Sequence, residues 1–218
     1  MIEAVFFDMD GTLVDTEPYW LASEIELMSN FGYSWSAEDQ RHCLGGPLPR
    51  VGEYMHSLVD AETPEYFVNA LVRKVEEKFS QGINFMPGAH ELLHALHMAN
   101  MPLGLVSASP RNLVDATLNA LPSKYFQVSI SSNDVVNSKP DPESYIRAAK
   151  SLNVNLSRCV ILEDSMTGIA AARASRAFVI AIPHIVDIKP DPQTIVIDSL
   201  VDFHLEELLE KFNEWMTS

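Results

Sequence analysis

The chain has 218 residues, 47% hydrophobic and 21% charged, which is ordinary for a soluble globular protein and enough for one sizeable core, with or without a smaller insertion. Thirty acidic residues against fifteen basic ones give a formal net charge of −15, and no lysine or arginine cluster interrupts that excess. This argues against nucleic acid or an anionic membrane as partner, but not against a small anionic substrate, because local cations and backbone amides can outweigh the global field at one site.

Residues 3–7, EAVFF, are apolar, partly β-branched and aromatic, and predict a buried strand that runs directly into Asp8-Met9-Asp10-Gly11-Thr12. From about residue 16 to 84 no convincing strand follows. The stretches 18–32 and 63–79 are amphipathic, the second repeating Phe67, Leu71, Val75 and Phe79 at four-residue spacing, with the rigid turn GGPLPR (45–50) between them. A simple crossover needs only about a dozen residues. An inserted all-helical domain over 16–84 is therefore expected, with NFMPG (84–88) as its return segment and 1–15 plus 85–218 as the core. Beyond it the pattern alternates: helix 88–100, strand 102–108, helix 112–121, a weaker strand 126–131, helix 142–152, strand 159–164, helix 165–175 and strand 177–183. Strands alternating with helices of this length imply βαβ units, a buried parallel sheet and the α/β class.

Ligands of open α/β sheets sit at the carboxyl ends of the strands, and there this sequence places Asp8 and Asp10, Ser107 and Ser109, and Glu163 and Asp164. Four buried carboxylates repel one another, and a hard divalent cation such as magnesium resolves the conflict by binding carboxylate and phosphate oxygens together. A carboxylate can also be a nucleophile. Attack by Asp8 on phosphorus would give an acyl phosphate, and Asp10, two residues on, could protonate the leaving oxygen and then activate water. Gly11 would let the backbone approach the phosphate and offer amide donors. Ser107 and Ala108 stand at a strand end before a helix start, and Lys139 in SKPDPE supplies the positive charge that a transferring phosphoryl group needs.

In this order DMDGT (8–12), Ser107, Lys139 and Glu163-Asp164 resemble the four motifs of the haloacid dehalogenase-like hydrolase superfamily, over nearly the whole chain. EDSMTGIAAARA and SKPDPESY are similar to the subfamily of β-phosphoglucomutase and sugar-phosphate phosphatases. The resemblance implies a Rossmann-like core with a helical cap inserted after the first strand. It implies Asp8 as nucleophile and Asp10 as acid/base. It further implies magnesium held by Asp8, the Asp10 backbone carbonyl and Asp164, with Glu163 supporting or completing that shell, and Ser107 and Lys139 on the phosphoryl group. Trp20 stands where β-phosphoglucomutase has a histidine, and Pro110-Arg111 where it has Lys-Asn. DTEPYW and SASP look instead like hexitol-phosphate and 2-deoxyglucose-6-phosphate phosphatases. Ser175-Arg176 replaces the usual Ala-Gly helix end, which requires a left-handed non-glycine residue.

The leading expectation is thus a magnesium-dependent phosphatase of a small sugar or polyol phosphate. The alternative is a phosphosugar mutase, and a more distant one is a non-catalytic binding or regulatory protein on the same fold. Asp10 argues against a dehalogenase. Discrimination is expected from the cap, hinging near Thr16 and Phe85, through Trp20, Gly46 and Arg50. Cys43 and Cys159, far apart and without metal-ligand spacing, read as free thiols of a reducing compartment. With no basic leader and no long apolar run, the chain is expected to be cytoplasmic, monomeric and partnered only by a small phosphorylated metabolite.

Overall fold

The computed structural model describes residues 1–44, 47–183 and 188–217. Six strands form one wholly parallel sheet: β1 (Ala4–Phe7), β2 (Leu103–Val106), β3 (Val128–Ile130), β4 (Cys159–Glu163), β5 (Phe178–Ala181) and β6 (Thr194–Val196), in spatial order β3-β2-β1-β4-β5-β6. The strands β1, β2, β4 and β5 are buried throughout, which is why they read as continuous apolar runs rather than alternating ones. β1 lies between β2 and β4, with Phe7 in register with Leu105 on one side and Leu162 on the other. Three neighbouring strands therefore end at one level, on Asp8, Ser107 and Glu163.

The chain divides into two compact units, Met1–Asp15 with Ile83–Ser218, and Thr16–Gly82. Ile83 and Asn84 fall with the sheet because the Asp15 amide donates to the Asn84 carbonyl at 2.9 Å and Val14 bridges Phe85. Around the sheet lie α5 (Ala89–Met98), α6 (Arg111–Ala120), α7 (Glu143–Leu152), α8 (Met166–Ala174) and α9 (Leu205–Thr217). Ala4, Phe6 and Ile161 pack with Tyr145, Ala148 and Ala149 of α7 and Ile169, Ala171 and Ala172 of α8. The small residues let these helices approach the sheet closely. β6 and α9 add to the elements expected from sequence. β6 is only three residues long and merges with polar neighbours, while α9 packs Leu208 and Phe212 inward at helical spacing. Arg176 has φ +66°, the left-handed conformation expected after α8.

The second unit contains α1 (Glu17–Ser29), α2 (Ala37–Cys43), α3 (Leu48–Val59) and α4 (Pro64–Phe79), and no strand among its described residues. Phe67, Leu71, Val75 and Phe79 are all buried, as their spacing predicts. Local chemistry sets the helix starts. Thr63 caps α4 by accepting from the Tyr66 amide at 3.2 Å, and Ser36 and Asp39 exchange side-chain and backbone hydrogen bonds at the start of α2. Both cysteines are free and buried, and among the described residues no helix is long and apolar enough to cross a membrane.

Two buried carboxyls in this unit have opposite fates. Burial works against the Asp39 charge, but hydrogen bonds from Ser36, Tyr54 (2.6 Å) and Tyr33 (3.2 Å) bring its pKa down to about 2. Glu24, 6% exposed, accepts from Trp35 Nε1 at 3.1 Å, and burial pushes it up to about 7, with the Glu17 charge adding to the rise. A folded-state pKa above the unfolded value means stability that is fully present below about 4.5 and lost as pH rises through about 7. Glu24→Gln should therefore stabilise the protein at pH 8 by about 1–3 kcal/mol, shrinking towards pH 5. Chemical denaturation at the two pH values checks this, and an equal effect at both would show that the Glu24 charge is not the cause.

Candidate active site

The strand ends converge on one ammonium. Lys139 Nζ donates to Asp8 Oδ1 at 2.5 Å, to Glu163 Oε1 at 2.7 Å and to the Val106 carbonyl at 2.9 Å, and lies 5.0 Å from the centre of the Tyr145 ring. Its side chain is 3% exposed. Burial opposes the Lys139 charge, but Asp8 and Glu163 hold its pKa well above the ordinary lysine range. It thus remains an ammonium.

Glu163 is wholly buried and its carboxylate is saturated. Oε1 accepts from Lys139 and from the Tyr145 hydroxyl at 3.0 Å, while Oε2 accepts from the Asp164 amide, the Ser165 amide and the Ser165 hydroxyl at 3.1–3.2 Å. Ser165 also caps α8 by accepting from Gly168 N at 3.0 Å. Gly168 is required here for room: a Cβ on it would lie 1.7 Å from Glu163 Oε1. Asp164 is less committed, with Oδ1 accepting from Thr12 Oγ1 at 3.1 Å.

Asp10 belongs to a second cluster. Its Oδ2 accepts from Ser109 Oγ at 2.8 Å and Ser107 Oγ at 3.2 Å, and Ser107 Oγ accepts in turn from the Ser109 amide at 2.9 Å. Its Oδ1 is buried and has no partner among the described residues. Such an oxygen is costly unless a ligand supplies its partner. Gly11, expected to offer an amide donor, donates that amide to the Val14 carbonyl at 2.9 Å instead, closing the tight loop after Asp10. Its contribution is space: φ is +78°, and a Cβ would stand 2.4 Å from Asp164 Oδ2. Ala108 is exposed beside this cluster.

One oxygen each from Asp8, Glu163 and Asp164 lie within 4.8 Å of one another, a spacing that one cation could bridge. Burial first, and then the Glu163 charge, raise Asp8 well above the usual carboxylate range and Asp164 to about 7. Both shifts disfavour the charged carboxylate, which a bound cation would favour. With four acidic side chains around one lysine, the donor set fits a hard divalent ion.

The candidate specificity residues lie in the helical unit. Trp20 is half-buried and packs against the cluster of Leu27, Met28, Phe67 and Leu71, while exposed Arg50 donates to the His42 carbonyl at 2.8 Å. Gly46 lies outside the described residues. Arg111 bonds Asp134, Ser129 and Asp115, which anchors the start of α6. Tyr145, Thr12, Ser165 and Gly168 escaped the reading of the sequence as site residues, whereas Ser109 was placed at its strand end. Tyr145 and Gly168 stand one helical turn or less inside α7 and α8, directly after the Lys139 and Glu163-Asp164 segments, and that adjacency was the available signal.

The family model described as haloacid dehalogenase-like hydrolase matches residues 5–182. The chain belongs to that family. Among similar proteins, "Phosphorylated carbohydrates phosphatase" of Thermotoga maritima is 31% identical over 179 residues, covering 80% of this chain and 82% of the relative. Hexitol phosphatase B of Escherichia coli K12 is 28% identical over 216 residues, 95% and 97% of the two chains. Among solved structures, β-phosphoglucomutase from Clostridium difficile superposes with a TM-score of 0.82 at 26% identity, covering 100% of both chains. The parallel sheet flanked by helices is thus the fold of the family, as its motifs imply.

Gly168→Ala tests the packing beneath the site. The added methyl must displace Glu163 or α8, at a cost of about 1–3 kcal/mol. Turnover should fall more than about tenfold while the melting temperature drops by only several degrees. Unchanged turnover in steady-state assays would mean that the Glu163 position is not critical.

Proposed function

We propose that this protein is a magnesium-dependent phosphatase of small phosphorylated sugars or polyols, working through a phosphorylated Asp8. The observation that carries this reading is the asymmetry of the two aspartates. Asp8 has one oxygen fixed by Lys139, and no other side chain among the described residues bonds its carboxylate, whereas Asp10 keeps a buried oxygen without a partner. One is poised as a nucleophile and the other as a proton carrier.

Asp8 and Asp164, together with the Asp10 backbone carbonyl, would hold the magnesium ion, which supplies positive charge to the phosphate oxygens when bound. The saturated hydrogen bonding of Glu163 supports a role in orienting Lys139 and the Asp164 backbone rather than in holding the ion. In the first step an Asp8 oxygen forms a bond to phosphorus as the ester P–O bond breaks, and Asp10 gives its proton to the departing alcohol oxygen. In the second, Asp10 takes a proton from water as that water attacks phosphorus, and the bond to Asp8 breaks to restore the carboxylate. Lys139, whose three protons are taken by Asp8, Glu163 and the Val106 carbonyl, would act on the transferring group through its charge, and Ser107 would turn its hydroxyl from Asp10 to a phosphate oxygen.

These residues recognise phosphate alone, so choice among sugar phosphates falls to the cap, with Trp20 and Arg50 as its contributors. The named activities of the Thermotoga and Escherichia relatives support a phosphatase. The likeness to β-phosphoglucomutase favours a mutase as the second reading. Against it stand Trp20 in place of a histidine and an Arg111 already held by Asp134. Phosphate release from a panel of sugar, polyol and aryl phosphates, alongside an assay for phosphosugar isomerisation, separates the two.

Asp8→Asn should lower turnover by more than about a thousandfold, because an amide cannot form the acyl phosphate. Retention of a few per cent of activity in pure protein would remove Asp8 from that role. Exhaustive chelation should abolish activity and added magnesium restore it. Asp164→Ala should raise the magnesium concentration for half-maximal rate by more than about tenfold, whereas Glu163→Gln should depress the maximal rate and stability with less change in that concentration. The reverse ranking would exchange the two residues' roles.

A further inference from the structure

Three of the seven histidines in the chain lie within α5, in the run His90-Glu91-Leu92-Leu93-His94-Ala95-Leu96-His97. At 3.6 residues per turn, His94 and His97 stand about 40° and about 20° to either side of His90 around the helix axis. All three therefore share one face. The buried residues Ala89, Leu92, Leu93 and Leu96 hold the other face against the core.

A tyrosine from outside the helix organises this histidine face. Tyr125, 3% exposed, has its hydroxyl 3.1 Å from His90 Nε2, and its ring meets those of His90 and His97 edge-on at 6.1 and 5.2 Å. His90 is also stacked on Phe85, with ring centres 4.5 Å apart. His94 is exposed, its ring 6.3 Å from that of His90. His90 is thus held on two sides by Tyr125 and Phe85, while His94 is open to solvent.

Histidines at positions i and i+4, with glutamate after the first, make the helical H-E-x-x-H arrangement that chelates zinc. Imidazole donors select zinc, copper or nickel, not magnesium. A ligating histidine is normally oriented by a hydrogen bond to its other ring nitrogen, and the Tyr125 hydroxyl provides such a partner. We propose that the α5 face is a second metal site, for a transition ion of the zinc class, formed by His90, His94 and His97 with water completing the shell. The ring nitrogens do not converge within one ion's reach, and closing the site would require the exposed His94 and the half-buried His97 side chains to turn. No catalysis is assigned to it. An ion held there would sit one stacked ring away from Phe85, which bridges Val14 in the segment following Asp10. The site lies outside the oxygen cluster of Asp8, Glu163 and Asp164, and does not depend on the phosphatase reading.

The test is titration of untagged protein with zinc by calorimetry in saturating magnesium, paired with electron paramagnetic resonance of the copper(II) form. One equivalent should bind, and the copper spectrum should show coupling to imidazole nitrogen. His94→Ala, a change at an exposed position, should abolish binding. Tyr125→Phe should weaken it about tenfold, and Asp164→Ala should leave it unchanged. Zinc uptake that survives His94→Ala or disappears in Asp164→Ala, an oxygen-only copper spectrum, or no uptake at all would each overturn the proposal.

Discussion

The Lys139 ammonium, enclosed between Asp8 and Glu163, is the contact on which the rest of the site depends. A buried lysine persists as a cation only if its partners are fixed, and removing one partner of such a network costs about 3–5 kcal/mol because a charge is left uncompensated. The fold fixes both partners through the backbone. Asp8 and Glu163 end adjacent parallel strands, and the Asp8 amide donates to the Leu162 carbonyl at 3.0 Å. Strand register thus determines the separation of the carboxylates. Tyr145 and Ser165 then use the remaining acceptor positions of Glu163, and Gly168 leaves space for its carboxylate. The network fixes the surroundings of Asp8 through contacts internal to the chain.

How much of this was legible follows from the range of each interaction. The strands were readable because both faces are buried, so ValPhePhe, LeuGlyLeuVal and CysValIleLeu stand out without alternation. Their carboxyl ends were readable because a polar residue directly after such a run has only one place to go. β6 was not, since three edge residues in a polar surround leave no pattern. Tyr145 and Gly168 were hidden for a different reason. Inside helices a tyrosine looks like core and a glycine like a weak helix former, and only their approach to Glu163, 18 residues before and 5 residues after it in the chain, gives either a role. Gly11 shows the converse: its type and place were informative, but the assigned donor is consumed by Val14 and what it gives is room.

The helical unit has its own electrostatic logic. Asp39 gathers hydroxyl and amide donors from Ser36, Tyr33 and Tyr54, so its charge ties the start of α2 to α3 and the preceding loop. Glu24 has Trp35 as its donor, and for it desolvation wins. Glu24 is the more deeply desolvated of the two and has fewer donors, and both differences disfavour its charge. A carboxyl whose pKa is pushed up to about 7 beside Trp35 is a cost the unit carries at neutral pH.

Charge balance finally connects the composition to the proposed chemistry. A chain with a net charge of −15 repels phosphate at long range, yet a reaction at phosphorus requires only that the field reverse over the last few ångströms. Lys139 begins that reversal but is matched by two carboxylates, so the ammonium alone leaves the site negative. Burial and mutual repulsion raise the pKa of Asp8 and Asp164 against the pull of the Lys139 ammonium, which disfavours the charged form that attack requires. A divalent cation held by Asp8 and Asp164 would favour their charged forms and would supply the positive charge that phosphate needs. In the proposed reaction the same cation would thus keep Asp8 ionised and favour an anionic substrate, and neither role would be separable from the other.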